Sequence, residues 1–377
     1  SGGEKQTPMA HKVTILDIAR LAKVSTTTVS RVLHNKPDVD PATRERILRI
    51  VEEQGFVPSI TAAGLAAGRN PLISVLVPAL TWPLIPELLL SVASVVESTS
   101  YEMVLYSISS TNHERDCGKI IDRILATRLT AGLLAVFPGQ SSQHLTRLRR
   151  QGFPVVLIDD QSPPPEGIPW IGADNRRGAY EATRHLIELG HRRIAHIQGP
   201  LKYCVSHERY QGYCDALQEA GLEVDPALVL EGDFMPAGGQ RCALDLLSRP
   251  AGERPTAIFA ASDYMAYGVI AAAETLGLRI PQDLALVGFD DNPASAHLRP
   301  ALTTVRQPVH AMGEQAIKLL LEMIEQEQMP RRRRQSVPPT AEEPPREVPH
   351  LVLPTSLVIR ESCGALQRHP SALLPEV

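Results

Sequence analysis

The first chemistry visible in the chain is a short polar row, Ser25-Thr26-Thr27-Thr28-Val29-Ser30-Arg31. Read as a helix, it turns Val29, Val32 and Leu33 inward and leaves Thr26, Thr27, Ser30 and Arg31 outside. Hydroxyls beside one guanidinium suit base edges and phosphates in a major groove. The same row also suits the solvated face of a small helical bundle. A second set of polar residues stands where apolar runs stop: Asp159 after PVVLI, Ser262-Asp263 after TAIFAA, Asp290-Asp291 after LALVGF. Ligands of open parallel sheets bind outside the carboxyl ends of the strands. Asp159 and Asp290 are the stronger ligand candidates, because each directly terminates its run. Asp263 reads rather as the N-cap of the next helix than as a ligand contact, and Asp291 fits a structural role. Catalytic patterns are absent: there is no GxSxG, no P-loop, no GxGxxG after a strand and no metal-spaced cluster. His196, central in an apolar strand, reads as a core residue rather than a base.

The elements that must position these residues follow from periodicity. Thr14-Ile15-Leu16-Asp17 resembles a capping box, after which Ile15, Ile18, Ala19 and Ala22 recur at helical spacing. The helix must stop near Lys23, because Val29, Val32 and Leu33 restart the apolar period beyond it. Ser25 can cap a second helix. A third begins at Asp40-Pro41, ends at Gly55 and presents Ile47, Leu48, Ile50 and Val51 as its apolar face. Short helices joined by a turn of a few residues make a helix-turn-helix. Ser59–Asn70 is Ala-rich, weakly helical and marginal alone, with Gly64 and Gly68 lowering its propensity. From Leu72 onward apolar runs at 72–78, 102–108, 131–137, 154–159, 193–199, 256–262 and 284–290 alternate with amphipathic segments such as 176–189, 209–220, 264–276 and 309–324. Such alternation predicts parallel sheets covered by helices. About a dozen strands fit two lobes better than one sheet, with the strand ends aimed into one cleft.

Charge agrees with a division of labour. The chain has 377 residues and a formal net charge of -4. Residues 1–71 hold ten Lys/Arg against seven Asp/Glu, and the remainder 28 against 35. A small basic head on an acidic body is the asymmetry of a protein whose head alone meets phosphate. Cys117, Cys204, Cys214, Cys242 and Cys363 form no CxxC pair and read as reduced thiols of a cytoplasmic protein. The polar start lacks an apolar h-region, so no secretory signal is expected. The apolar stretch from Leu72 to Val96, broken by prolines and Glu87, reads as a strand then a helix rather than a membrane span. Residues 329–349 (MPRRRRQSVPPTAEEPPREVP) have no apolar period and read as a disordered loop.

The segment LDIARLAKVSTTTVSRVLHNKPDVDPATRERILRIVEEQGFVPSITAAGLAAGR resembles the headpiece of the lactose/galactose repressor (LacI/GalR) family. HLIELGHRRIAHIQGP, ERYQGYCDAL, FAASDYMAYGVIAAAETLGLRIPQDLALVGFDD, RPALTTVRQP and LPTSLVIRES resemble its effector domain, itself similar to periplasmic sugar-binding proteins. The resemblance implies an α/β protein: a three-helix helix-turn-helix head on a body of two doubly wound parallel-sheet lobes. It implies DNA contacts by Thr26, Thr27 and Arg31 to bases and by Thr14, Ser25, Thr28, Ser30 and Asn35 to phosphate or groove. A hinge helix would bring Ala62 and Leu65 to the minor groove, where an apolar wedge bends the duplex. The family often has glycine where Lys23 stands, and Gly64 departs from related hinges. Arg209 and Asp290 would clamp a small-molecule effector, with Asp159, Ser262 and Gln307 as secondary polar contacts, Phe234 as an aromatic platform, and Leu80 and Trp82 as the wall of the N-terminal lobe. Core packing is the alternative for Phe234 and Trp82.

The expected layout is a DNA-binding domain at 12–58, a hinge at 59–70 and a body at 71–363. Within the body, an N-lobe takes about 71–173 plus 306–328 and a C-lobe about 174–305 plus 349–363. A loop at 329–348 and a flexible tail at 364–377 complete it. The expected partners are double-stranded, pseudo-palindromic operator DNA, a second copy of the chain, and a mono- or oligosaccharide, with a purine or nucleoside as the alternative effector. A solute-binding protein is the remote rival. No cofactor, metal, membrane or catalytic role is expected.

Overall fold

A computed structural model describes residues 13–33, 36–56, 70–108, 113–127, 129–137, 142–158, 167–328 and 349–368. Asn35, the hinge residues Ala62 and Leu65, Asp159 and the 329–348 loop lie outside the described residues. The chain divides into two units, residues 1–71 and 72–377.

The small unit holds α1 (Ile15–Ala22), α2 (Thr26–Leu33) and α3 (Pro41–Glu53). The capping box at Thr14 and Asp17 forms in full, and Lys23 ends α1 in the left-handed region at φ 53. Asp40 caps α3 through the Thr43 N–H, with Pro41 at the first helical position. Ile18, Ala19, Ala22, Val29, Val32 and Ile47 form one core, with Leu33, Ile50 and Val51 packed at its edge. Leu48, expected on the apolar face, is 47% exposed. Its neighbour Ile47 fills the inward position, and one residue along a helix turns the side chain by roughly 100°.

The large unit contains two six-stranded sheets. Its strands are β1 (Leu72–Val77), β2 (Glu102–Ser107), β3 (Leu133–Val136), β4 (Val155–Ile158), β5 (Trp170–Ala173), β6 (Ile194–Gln198), β7 (Val229–Glu231), β8 (Ala257–Ala260), β9 (Ala285–Asp290), β10 (Thr303–Arg306), β11 (His350–Leu353) and β12 (Ser356–Val358). The first sheet runs β11-β5-β4-β3-β1-β2 and the second β12-β10-β9-β8-β6-β7. Every pairing is parallel except β10 with β12. Helices α4 (Leu84–Val96), α5 (His113–Thr127), α6 (Ser142–Arg150) and α11 (Val309–Gln328) belong to the first lobe, and α7 (Asn175–Glu188), α8 (Cys204–Glu219), α9 (Pro236–Leu247) and α10 (Asp263–Thr275) to the second.

Each sheet is buried on both faces. Ile73, Val75 and Val77 of β1 meet Leu88 and Val92 of α4 and Leu320 of α11, while Leu76 faces Ile121, Ile124 and Leu148 of α5 and α6. In the second lobe α9 and α10 cover one face and α7 and α8 the other. This two-sided covering is why the strands read as continuous apolar runs. The stretch from Leu72 to Val96 is β1 and α4, and among the described residues no helix is long and apolar enough to cross a membrane.

Two expectations need correction. Residues 349–363 were assigned together to the C-lobe, but His350–Leu353 pairs with Trp170–Ala173 in the first lobe's sheet. Only after Pro354-Thr355 does the chain cross to pair Ser356–Val358 with Thr304–Arg306. Proline, lacking an N–H, interrupts the ladder at that crossing. The supposed tail from Gly364 begins with a short helix, α12 (Ala365–Arg368), because Ala365 packs against the second lobe's core.

Candidate functional site

In the small unit α2 carries the polar row. Ser25 Oγ accepts from the Thr28 N–H at 3.1 Å and lies 2.9 Å from the Thr28 hydroxyl, so it caps the helix. Thr27 and Arg31 are exposed, and Thr26, Thr28 and Ser30 half-buried. Arg31 pairs with Asp38 at 3.0 Å, both side chains more than half exposed. Such a pair is worth at most about 1 kcal/mol and yields readily to a phosphate or a guanine edge. Thr14 is exposed at the start of α1, its hydroxyl engaged with Asp17.

In the large unit a cleft of about 880 Å³, counting its open mouth, lies between the lobes. Trp82 and Phe137 line it from the first lobe, and Tyr203, Arg209, Phe234, Ser262, Asp290 and Asn292 from the second, with Gln307 on a connecting segment. All but Arg209, which lies within α8, stand at strand carboxyl ends or in the turns that follow them. Of the expected contacts, Trp82, Arg209, Phe234, Ser262, Asp290 and Gln307 come together here. Leu80 does not: it is 49% exposed and outside the lining. The turn after β1 that brings Trp82 inward leaves Leu80 on the surface.

Arg209, on α8, is buried. Its Nε donates to Asn175 Oδ1 at 2.9 Å and its Nη1 to the Ala261 carbonyl at 2.5 Å. Nη1 also lies 3.5 Å from Asp290 Oδ1, and the guanidinium sits 3.7 Å over the Phe289 ring. Asp290 in turn accepts from Gln307 Nε2 at 2.8 Å. Burial pushes the Asp290 carboxyl up, against the opposing pull of Arg209 and Gln307. Asp290 and Asp291 both have positive φ, 120 and 55. Non-glycine residues hold that conformation only when their surroundings impose it. Asp291 is fixed by Arg306 at 2.6 Å and Arg360 at 2.7 Å, a structural role.

Ser262 is the N-cap of α10, accepting from the Met265 N–H, and its hydroxyl proton is not needed for that bond. Asp263 is therefore not the cap. It lies fully buried and accepts from Asn292 N–H at 2.8 Å, Ser295 Oγ at 2.6 Å and the Thr304 hydroxyl. Burial, reinforced by Asp290, pushes its pKa up.

Aromatic rings stand on both sides of the cleft. Trp82 and Phe137 are 6.1 Å apart in the first lobe, and Tyr203 and Phe234 stack at 5.9 Å in the second. Phe234 holds φ 63. It fits only because residue 199 is glycine, where a Cβ would stand 2.0 Å from the ring. Sequence reasoning missed Phe137, Tyr203 and Asn292. The rule that ligands meet strand carboxyl ends would have found them, since they follow β3, β6 and β9. His196 lies stacked between Tyr213 and Phe259 in the core. No cluster of His, Cys, Asp or Glu fit to hold a metal occurs among the described residues.

Comparison with known proteins gives the same division. The family model for bacterial regulatory proteins of the lacI family matches residues 14–59, and that for a periplasmic binding protein-like domain matches residues 183–343. Catabolite control protein A of Priestia megaterium is 34% identical over 316 residues, covering 84% of this chain and 93% of that protein. A transcriptional regulator CelR–cellobiose complex is 32% identical with a TM-score of 0.66, covering 93% of this chain and 99% of the other. The lac repressor dimer bound to operator and the anti-inducer ONPF is 26% identical with a TM-score of 0.78, covering 94% and 99%. With helix-turn-helix and two-lobed body both matched across most of its length, the chain belongs to the lacI family of bacterial regulatory proteins, which are transcription factors and not enzymes.

Proposed function

We propose that this regulator is a homodimeric repressor working in the cytoplasm on the nucleoid. Residues 12–58 read one half-site of a pseudo-palindromic operator, 59–70 form the hinge, and the body at 71–363 binds a mono- or oligosaccharide between its lobes. Two-fold protein symmetry is mirrored in operator symmetry. Thr26, Thr27 and Arg31 read bases; Thr14, Ser25, Thr28, Ser30 and Asn35 meet phosphate or groove; Ala62 and Leu65 enter the minor groove. Arg209 and Asp290 clamp neighbouring hydroxyls, helped by Asp159, Ser262 and Gln307, while Phe234 and Trp82 cover the apolar face of the sugar ring.

The observation that carries the effector reading is the Arg209–Asp290 pair at 3.5 Å facing a cleft walled by aromatic rings. Paired donors and acceptors bridge vicinal hydroxyls in parallel hydrogen bonds. The cellobiose complex of a relative supports a saccharide. One feature favours the second reading, a purine or nucleoside: rings stand on both walls, as a flat base requires.

Effector binding changes the angle between lobes and so the hinge spacing. Effector and operator then share one coupling free energy of about 1–3 kcal/mol. The test is a thermal-melt panel of cellobiose, glucose, ribose, adenosine and hypoxanthine. A binder at a hundredfold excess over Kd stabilises by about 2.7 kcal/mol. Stabilisation by the saccharides alone supports the first reading, by adenosine or hypoxanthine alone the second, and by none of them neither.

A further inference from the structure

The charge of the cleft is settled by few residues. Among the described residues lining it, Arg209 is the one cation, and it already meets Asn175, the Ala261 carbonyl and Asp290. Two carboxylates share the lining, Asp290 and Asp233, and the Asp233 side chain accepts from the Met235 N–H at 2.8 Å. A phosphate entering here would lose its hydration and meet like charge, with no uncommitted cation among the described lining residues to receive it. Like charges brought together at a binding site cost several kcal/mol.

The same cleft holds polar groups left poorly satisfied. Asn292 is 3% exposed and lines the cleft, and neither Oδ1 nor Nδ2 of its side chain makes a well-formed hydrogen bond, although the side chain lies beside the Tyr267 hydroxyl. Gln307 is 5% exposed; its Nε2 donates to Asp290 but its Oε1 has no partner. A buried amide left unsatisfied is expensive. Asn292 can accept one hydrogen bond and donate two, and Gln307 Oε1 can accept. A ligand that satisfies them must present donors and acceptors side by side, as adjacent hydroxyls do and a phosphate dianion, acceptor only, does not.

We propose that this cleft selects an uncharged, hydroxyl-bearing effector and rejects its phosphate ester, with the buried amides of Asn292 and Gln307 reading the hydroxyls. The inference rests on the reading of the cleft as the effector site and narrows it. Asn292 thereby becomes a specificity-determining residue, although its backbone N–H serves Asp263.

The test is isothermal titration of the full chain with matched neutral and phosphorylated probes: glucose against glucose 6-phosphate, ribose against ribose 5-phosphate, cellobiose against cellobiose 6′-phosphate, adenosine against its 5′-monophosphate. The expected result is at least one neutral binder whose ester is weaker by about 100-fold or more, as a like-charge penalty of that size requires. Asn292→Leu, close in shape, should weaken the neutral binder at least about tenfold with a melting temperature unchanged or raised, because it removes a buried amide that is poorly satisfied in the free protein. A melting temperature that falls while affinity holds would assign Asn292 a structural role and overturn its part of the proposal. A phosphate ester that binds as well as its neutral partner, and is lost in Phe234→Ala, would overturn charge selection while leaving the cleft as the effector site. Loss of no binder in Phe234→Ala or Arg209→Ala, or no binder at all, would instead remove the effector-site reading and this proposal with it.

Discussion

The two walls of the cleft are built from different chemistry. The second lobe brings the charged and amide groups, Arg209, Asp290 and Asn292, whereas the first lobe's described lining residues, Trp82, Pro83, Leu84 and Phe137, carry no charge. The difference separates two tasks. Polar atoms locked by burial define which ligand fits, because each must be matched or left unsatisfied. Aromatic surface adds affinity to whatever the other wall has oriented, because apolar burial is non-directional. A wall of this second kind suits a lobe that moves, since closing it needs no hydrogen-bond register.

The largest expected effect is on the polar wall. Arg209→Ala leaves Asp290, 14% exposed, with only the neutral Gln307 amide and the Asp263 backbone as partners. Removing one member of a buried pair destabilises by about 3–5 kcal/mol, readable by chemical denaturation, and titration should find effector binding abolished. Retention of both stability and binding would break the contrast between the walls.

Next is a pH effect belonging to the second lobe. Burial lowers the His196 pKa from 6.5 to about 3. The unfolded chain then takes up a proton below pH 6.5 that the native chain refuses until about pH 3. Stability from this group is full above pH 6.5 and is lost as pH falls from there toward 3, at up to about 1.4 kcal/mol per unit. Asp263 and Asp290, pushed up by burial, act in the opposite direction, so the measurement is a difference. Wild type minus His196→Gln, followed by denaturation from pH 7 to 4, should decline with acid. A flat difference would mean that folding leaves the His196 pKa where the unfolded chain has it.

Trp82→Ala comes third. It should weaken every effector probe by about 1–2 kcal/mol without changing their rank order. A changed rank would show that the first lobe also selects. The smallest effect is Leu80→Ala, expected within about 0.5 kcal/mol of wild type in both melting and binding, since Leu80 is exposed and outside the lining. A clear loss of binding would return it to the cleft.

The sequence made the headpiece legible through its caps: Thr14, Lys23, Asp40 and Pro41 all announce helix ends by local chemistry. It made seven strands legible as apolar runs. It did not reveal β5, β7, β10 or the split between β11 and β12, because three- and four-residue strands carry little periodicity and the Pro354-Thr355 crossing follows tertiary pairing. Arg209, Asp290 and Phe234 were placed by resemblance. Tyr203, Asn292 and Phe137 were missed because the strand-end rule was applied to polar run-ending residues alone, although each of the three follows a strand's carboxyl end. Leu80 and Trp82, two residues apart, could not be separated without that turn.

The central claim is that the cleft and the DNA-reading head share one equilibrium. The direct measurement is the affinity of the full chain for a duplex selected from random sequence, with and without the effector found by the titrations, at fixed salt. The account predicts a change of about 5- to 150-fold for wild type and none for Arg209→Ala. An unchanged duplex affinity in wild type with the cleft saturated would contradict it.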